Sequence, residues 1–219
     1  THCSNQICPP IHSFATSMLQ GEGLSVGPRA FGDHPLQALS MDAMQVGFNG
    51  HAYGWIEQFL GLYTQNPETF SELSALFLMH DHNVMGRGEM RTQNRVAVTL
   101  EKLGAYAPDD DLVFIPYWDH QGAVRSLTDG GYVNAYLHPQ ERRVSLLLAS
   151  MKLGDAAPTE IRITLDRKKL GLPDGPLVAE DLYTGEILPV VGDELTVPVR
   201  KCDFRGLTIK PATPAEGNR

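Results

Sequence analysis

Apolar positions change their period partway along the chain. In the first half they recur every three or four residues. Ile11, Phe14, Ala15, Met18 and Leu19 follow helical spacing behind Pro9-Pro10, and Gly21-Glu22-Gly23 ends that element. Ser40 is placed to cap a second helix carrying Met41, Met44 and Phe48 on one face. Leu73, Leu76, Phe77 and His80 predict a buried helix over residues 72–80, with Ser71 as its cap. A strand over residues 75–79 competes with that reading. Residues 82–89 read as a loop. Val96, Leu100 and Leu103 form one stripe of a helix over residues 92–103 that Gly104 stops.

Near Asp111 the period drops to two. Ile161, Ile163 and Leu165 alternate with Glu160, Arg162 and Thr164, and Leu195, Val197 and Val199 repeat the pattern. Further strands are expected at residues 112–118, 132–137, 144–150, 177–182 and 206–210. Turns are expected at Asp129-Gly130-Gly131, Thr184-Gly185 and Gly192-Asp193. About seven or eight short strands with regular punctuation predict an antiparallel β-sandwich. Residues 112–211 are assigned to it, with residues 212–219 as a disordered tail.

The hydrophobic fraction of 42% and charged fraction of 20% are ordinary for a globular protein. The formal net charge of -8 gives no general attraction to nucleic acid or to an anionic membrane. Arg142-Arg143 and Arg167-Lys168-Lys169 are short basic runs that read as solvated surface. No apolar run approaches the ~20 residues that span a bilayer. Cys3, Cys8 and Cys202 have no framework spacing, so free thiols are expected, although Cys3 and Cys8 are close enough to pair. The chain opens at Thr1 without an obvious beginning, which points to the C-terminal portion of a larger protein. Localisation stays open on that reading, secreted and cell-envelope sites included.

Candidate chemistry sits in the first half. Glu22 lies between two glycines, where flexible backbone lets a carboxylate approach a ligand as acid, base or clamp. An exposed turn glutamate is the plainer alternative. Asp33-His34 and His80-Asp81-His82 are polar clusters. His-x-His beside a carboxylate can ligate a metal, but no HExxH motif or cysteine pair accompanies it. His80 also lies on the buried stripe, where core hydrogen bonds would satisfy its ring. Hydrogen bonding of a substrate by Asp81 or His82 is weighed above metal binding. His51, Tyr53 and Trp55 flank glycines in a dense loop, placed either to stack on sugars or to fill a core. Trp118-Asp119-His120 reads as packing where the two halves meet. There is no GxSxG, Walker or dinucleotide glycine motif, and no cofactor is expected.

Five segments carry a resemblance: VFIPYWD (residues 113–119), RVSLLLAS (143–150), DLYTGE (181–186), LTVPV (195–199) and DFRGLTIKP (203–211). Together they are similar to the closing β-sandwich of glycoside hydrolases built as a (β/α)8 barrel followed by a sandwich, the α-galactosidase-like type. PPIHSFATSMLQGE (residues 9–22) looks like a βα loop and helix of such a barrel. The chain also resembles glycoside-hydrolase-like proteins near the β-N-acetylgalactosaminidase family. The resemblance implies that residues 1–111 are the later part of an incomplete TIM-type barrel, with the nucleophile upstream of Thr1. It also implies a carbohydrate substrate and hydrolysis of an O-glycosidic bond. The implied partner is the missing N-terminal part of the same barrel or another copy of the chain. Glu22 is then the expected catalytic carboxylate. Asp33, His34, His51, Tyr53, Trp55, His80, Asp81 and His82 are the expected substrate contacts. A non-catalytic carbohydrate-binding or structural module is the alternative, and a metal-dependent enzyme using the histidines is a third.

Overall fold

The computed structural model describes residues 17–20, 35–37, 40–48, 56–62, 66–86, 89–105, 111–119 and 122–212. The chain divides into two compact units, Thr1–Val96 and Ala97–Arg219.

The first unit holds β1 (Ser17–Gln20), a 3-10 turn (Pro35–Gln37), α1 (Met41–Phe48), β2 (Ile56–Leu62), α2 (Pro67–Leu78), β3 (Asn83–Gly86) and the start of α3 (Met90–Leu103). Its strands pair in parallel in the order β1-β2-β3. Ser40 caps α1 as expected, its Oγ accepting the Ala43 N–H at 3.2 Å. Two expectations are corrected. Met18 and Leu19 lie on a strand rather than a helix, and part of the loop expected over residues 82–89 is β3. Apolar runs this short do not distinguish the two periods, and pairing with a neighbouring strand decides them. α2 also begins earlier than expected. Asn66 is its cap, accepting the Glu68 N–H at 2.9 Å, with Pro67 at the first turn. Ser71 and Glu72 therefore lie inside the helix and are buried.

The second unit is dominated by a nine-stranded sheet. Its strands are β4 (Val113–Ile115), β5 (Val124–Ser126), β6 (Gly131–His138), β7 (Arg143–Ser150), β8 (Glu160–Leu165), β9 (Leu177–Asp181), β10 (Ile187–Val191), β11 (Glu194–Pro198) and β12 (Phe204–Pro211). They run in the order β4-β6-β7-β12-β9-β10-β11-β8-β5, and every pairing is antiparallel. The sheet curls so that β5 and β8 come against β6 and β7. Leu146 and Leu148 of β7, Ile161 and Ile163 of β8, Val197 of β11 and Leu207 of β12 meet in the enclosed core. Truncating one such residue to alanine costs about 2–5 kcal/mol.

These findings overturn the expected fold class. The described residues form no (β/α)8 barrel; most of their regular structure is this curled antiparallel sheet, a half-barrel. Helical periodicity says only that a helix covers something. Closing a barrel needs a fixed strand number and stagger, which no local pattern encodes. A two-layer sandwich remains compatible with the curl, although one continuous sheet supplies both layers.

The residues of α3 from Ala97 onward belong to the second unit and lie on the outer face of this sheet. Lys102 Nζ donates to Leu182 O at 2.5 Å, and Arg143 donates to Lys102 O at 2.7 Å. The guanidinium thus meets a carbonyl of the helix end, where a cation is favoured. Gly104, at φ 79°, ends the helix against the His138 ring.

The basic run after β8 is only partly solvated. Lys168 and Lys169 are exposed, but the Arg167 side chain is one-fifth exposed and fully engaged. It belongs to the short helix α4 (Arg167–Leu170). Its guanidinium bonds Asp193 Oδ1 at 2.6 Å, Gly175 O at 2.6 Å, Gly192 O at 2.6 Å and Pro173 O at 3.2 Å. One arginine therefore ties the β10–β11 hairpin to the turn before β9.

Candidate functional site

Of the expected site residues, His80, Asp81 and His82 can be placed. Glu22, Asp33, His34, His51, Tyr53 and Trp55 lie outside the described residues.

The three form the turn that ends α2 and feeds β3. The His82 N–H returns to Phe77 O at 3.1 Å and the Asp81 N–H to Leu78 O at 3.2 Å, while Asp81 sits at φ 59°. This is the Schellman arrangement, with aspartate in the left-handed position that glycine or asparagine usually takes. His80 is fully buried. Its Nδ1 lies 2.7 Å from Leu76 O and its Nε2 3.1 Å from Met41 O, so the ring bridges α2 and the start of α1. Both neighbours are acceptors, and a neutral imidazole has one N–H to offer. Burial pushes its pKa below the ordinary histidine value, outweighing the two carbonyls that favour the proton. His82 is also buried, and Asp81 is half-buried.

Glu72 is a buried carboxylate that the sequence pattern did not single out. It lies one turn from Leu76 on α2, and its Oε1 accepts the Leu36 N–H at 2.8 Å. It thereby holds the Pro35–Gln37 turn, which follows directly on Asp33-His34 in the chain. The neighbouring Ser71 Oγ accepts from Arg95 Nη2 at 3.2 Å. Reading Ser71 as the helix cap put Glu72 in the first turn, where the structure has it inside the helix. The Asn66-Pro67 pair was the signal that would have moved it inside.

In the second unit, Phe114, Tyr117, Trp118 and Tyr132 are half-buried and Tyr136 is buried. Trp118 meets the Tyr117 ring edge-on at 4.8 Å and the Phe114 ring at 6.5 Å. Tyr117 meets Tyr132 at 4.9 Å. The buried Asn134 fixes the turn after β4 by accepting the Tyr117 N–H at 2.8 Å. Trp118 is thus part of an aromatic cluster, where the sequence suggested packing.

Asp181 is the other buried carboxylate of note, and its partners are structural. It accepts the N–H of Tyr183 at 2.9 Å and of Thr184 at 2.6 Å, and it pairs with Arg205. Among the described residues no group of three or more His, Cys, Asp and Glu gathers to hold a metal ion. Among them, too, no helix is long and apolar enough to cross a membrane.

No protein-family model matches the chain, and no curated sequence matches it. Several solved structures are similar to it. A GH27 β-L-arabinopyranosidase from Geobacillus stearothermophilus matches at 15% identity and TM-score 0.39, over 67% of this chain and 31% of its own. A candidate α-N-acetylgalactosaminidase from Bacillus halodurans matches at 11% identity and TM-score 0.40, over 67% of this chain and 31% of its own. An α-amylase from Anoxybacillus matches at 11% identity and TM-score 0.44, over 89% of this chain and 48% of its own. The chain therefore spans less than half the length of each of these proteins. With all three scores below 0.5, none of them assigns this chain to a family.

Proposed function

We propose that this chain is part of a carbohydrate-active protein that hydrolyses O-glycosidic bonds. One observation carries the reading. The five segments similar to the closing domain of α-galactosidase-like enzymes all fall within the one antiparallel sheet. They occupy β4 and the aromatic turn after it, β7, the β9–β10 hairpin, β11 and β12. Glu22 is the proposed acid or base. Asp33, His34, His51, Tyr53, Trp55, Asp81 and His82 are the proposed sugar contacts. His80 is set aside, because its ring nitrogens already face two carbonyls.

A panel of aryl glycosides tests the proposal, comparing the full-length protein that contains this chain with its Glu22→Gln variant. Loss of a general acid or base lowers turnover by roughly 10²–10⁴. Equal turnover in both proteins would remove Glu22 from the chemistry, and no turnover on any glycoside would remove the hydrolase reading.

A second reading, a non-catalytic carbohydrate-binding module, is favoured by the half-buried rings of Tyr117, Trp118 and Tyr132. Aromatic faces of this kind stack on sugars. Saturable quenching of tryptophan fluorescence by oligosaccharides, lost in Trp118→Ala and without accompanying hydrolysis, would select it over the first.

A further inference from the structure

The chain contains two Asp-Gly pairs, Asp129-Gly130 and Asp174-Gly175. Aspartate followed by glycine is chemically restless, because no Cβ hinders the glycine nitrogen from reaching the aspartate Cγ. The two pairs have the same chemistry, and the fold treats them differently.

Asp129 is held. Its carboxylate, although exposed, pairs with Lys152 Nζ. Lys152 closes over the glycine as well: a Cβ on Gly130 would lie 2.8 Å from the Lys152 Cβ. Asp174 has none of this. It and Gly175 are exposed, and nothing lies within 4 Å of where a Gly175 Cβ would be. Among the described residues the Asp174 carboxylate makes no hydrogen bond or ion pair, and the Gly175 N–H finds no acceptor. Gly175 stands at φ 109°, a conformation open to glycine and strained for other residues.

We propose that Asp174 is a site of spontaneous isomerisation to isoaspartate, and that this conversion loosens the hold of Arg167 on the turn. The Gly175 nitrogen attacks the protonated Asp174 carboxyl at Cγ, the amide proton and the hydroxyl leave as water, and a five-membered succinimide closes. Water then opens the ring at the former main-chain carbonyl, and the chain runs on through the β-carboxyl. One water leaves and one enters, so mass is unchanged and nothing is oxidised or reduced. The product has one extra methylene in its backbone between Pro173 and Gly175. Those two residues supply carbonyls to Arg167, at 3.2 Å and 2.6 Å, and a backbone longer by one atom does not keep both in place. Arg167 also holds Gly192 O and Asp193, so the change reaches the β10–β11 hairpin.

The test is to age the full chain in mildly acidic to neutral buffer at physiological temperature. Isoaspartate is then measured by peptide mapping and by methyl transfer from S-adenosylmethionine with an isoaspartyl carboxyl methyltransferase. The expected result is accumulation in the Asp174 peptide several-fold faster than in the Asp129 peptide, with Tm falling as the converted fraction rises. Asp174→Glu, which keeps the charge and disfavours the five-membered ring, should lose both the signal and the ageing-linked fall. Equal or faster conversion at Asp129 would overturn the proposal. So would an unconverted Asp174 in a sample whose urea-unfolded control converts, or a converted Asp174 with unchanged Tm.

Discussion

Arg205 meets Asp181 across the β12–β9 boundary with its Nε 2.6 Å from Oδ2, and the two side chains are 14% and 6% exposed. The same guanidinium reaches Glu186 and, at 3.0 Å, Pro198 O. Burial alone would raise the Asp181 pKa, but Arg205 and Thr184 outweigh it and hold the carboxyl below the ordinary aspartate range. Arg205→Met leaves that carboxylate buried without its cation and is expected to destabilise by roughly 3–5 kcal/mol. Arg205→Met with Asp181→Leu should recover part of the loss. Chemical denaturation of these two variants and of Asp181→Leu alone measures the coupling, and additive losses would show that the pair acts as two separate groups.

Asp181 also sets an acid limit. Its folded pKa lies below its unfolded value of about 3.9, so its stabilisation is complete above that value. The stabilisation is lost as pH falls through the depressed folded pKa. Tm measured through that acid range should drop less steeply in the Arg205→Met, Asp181→Leu protein than in the parent. Parallel curves would remove Asp181 as the cause.

His80 acts at a higher pH. Burial lowers its folded pKa from 6.5, so the unfolded chain takes up a proton that the folded ring resists. Stability should therefore fall as pH drops below about 6.5, until the depressed folded value is reached. His80→Gln has no proton to gain and should flatten this slope while lowering Tm at neutral pH. An unchanged slope would mean that His80 titrates as an ordinary histidine.

Asp81 occupies the left-handed position of the turn after α2, at φ 59°. Asp81→Gly removes the steric conflict of that conformation and should hold or raise Tm, whereas Asp81→Val should cost at least roughly 1–2 kcal/mol. Paired thermal melts decide it. Equal losses in both variants would show that the Asp81 carboxylate, not its backbone, matters to the turn.

Gly206 lies where α3 crosses β12: a Cβ there would stand 2.8 Å from Thr99 Cγ2 and 3.0 Å from Leu182 Cδ1. Gly206→Ala is expected to cost about 1–3 kcal/mol through overpacking. Adding Thr99→Ser removes the nearest clashing methyl and should return part of it. No recovery in the double variant would place the strain elsewhere.

The amino-acid order by itself determined the elements whose burial is one-sided. Ile161, Ile163 and Leu165 alternate with polar neighbours, and β8 lies where that alternation puts it. Gly185 and Gly192 mark turns that glycine conformation demands, and Gly104 ends α3 for the same reason. These are short-range consequences of side-chain direction and backbone sterics. Tertiary structure decided what local pattern leaves degenerate. Ser17–Gln20 became a strand because residues far along the chain offered it a ladder. β5 and β10, too short or too exposed to show a clear period, exist because β8, β9 and β11 pair with them. Among the expected site residues, the sequence placed His80 on a buried face, but its tie to Met41 spans 39 positions. The contact between Glu72 and Leu36 spans 36. Whether a titratable side chain ends in water or against a distant carbonyl depends on which segments the fold brings together, and no local spacing carries that information.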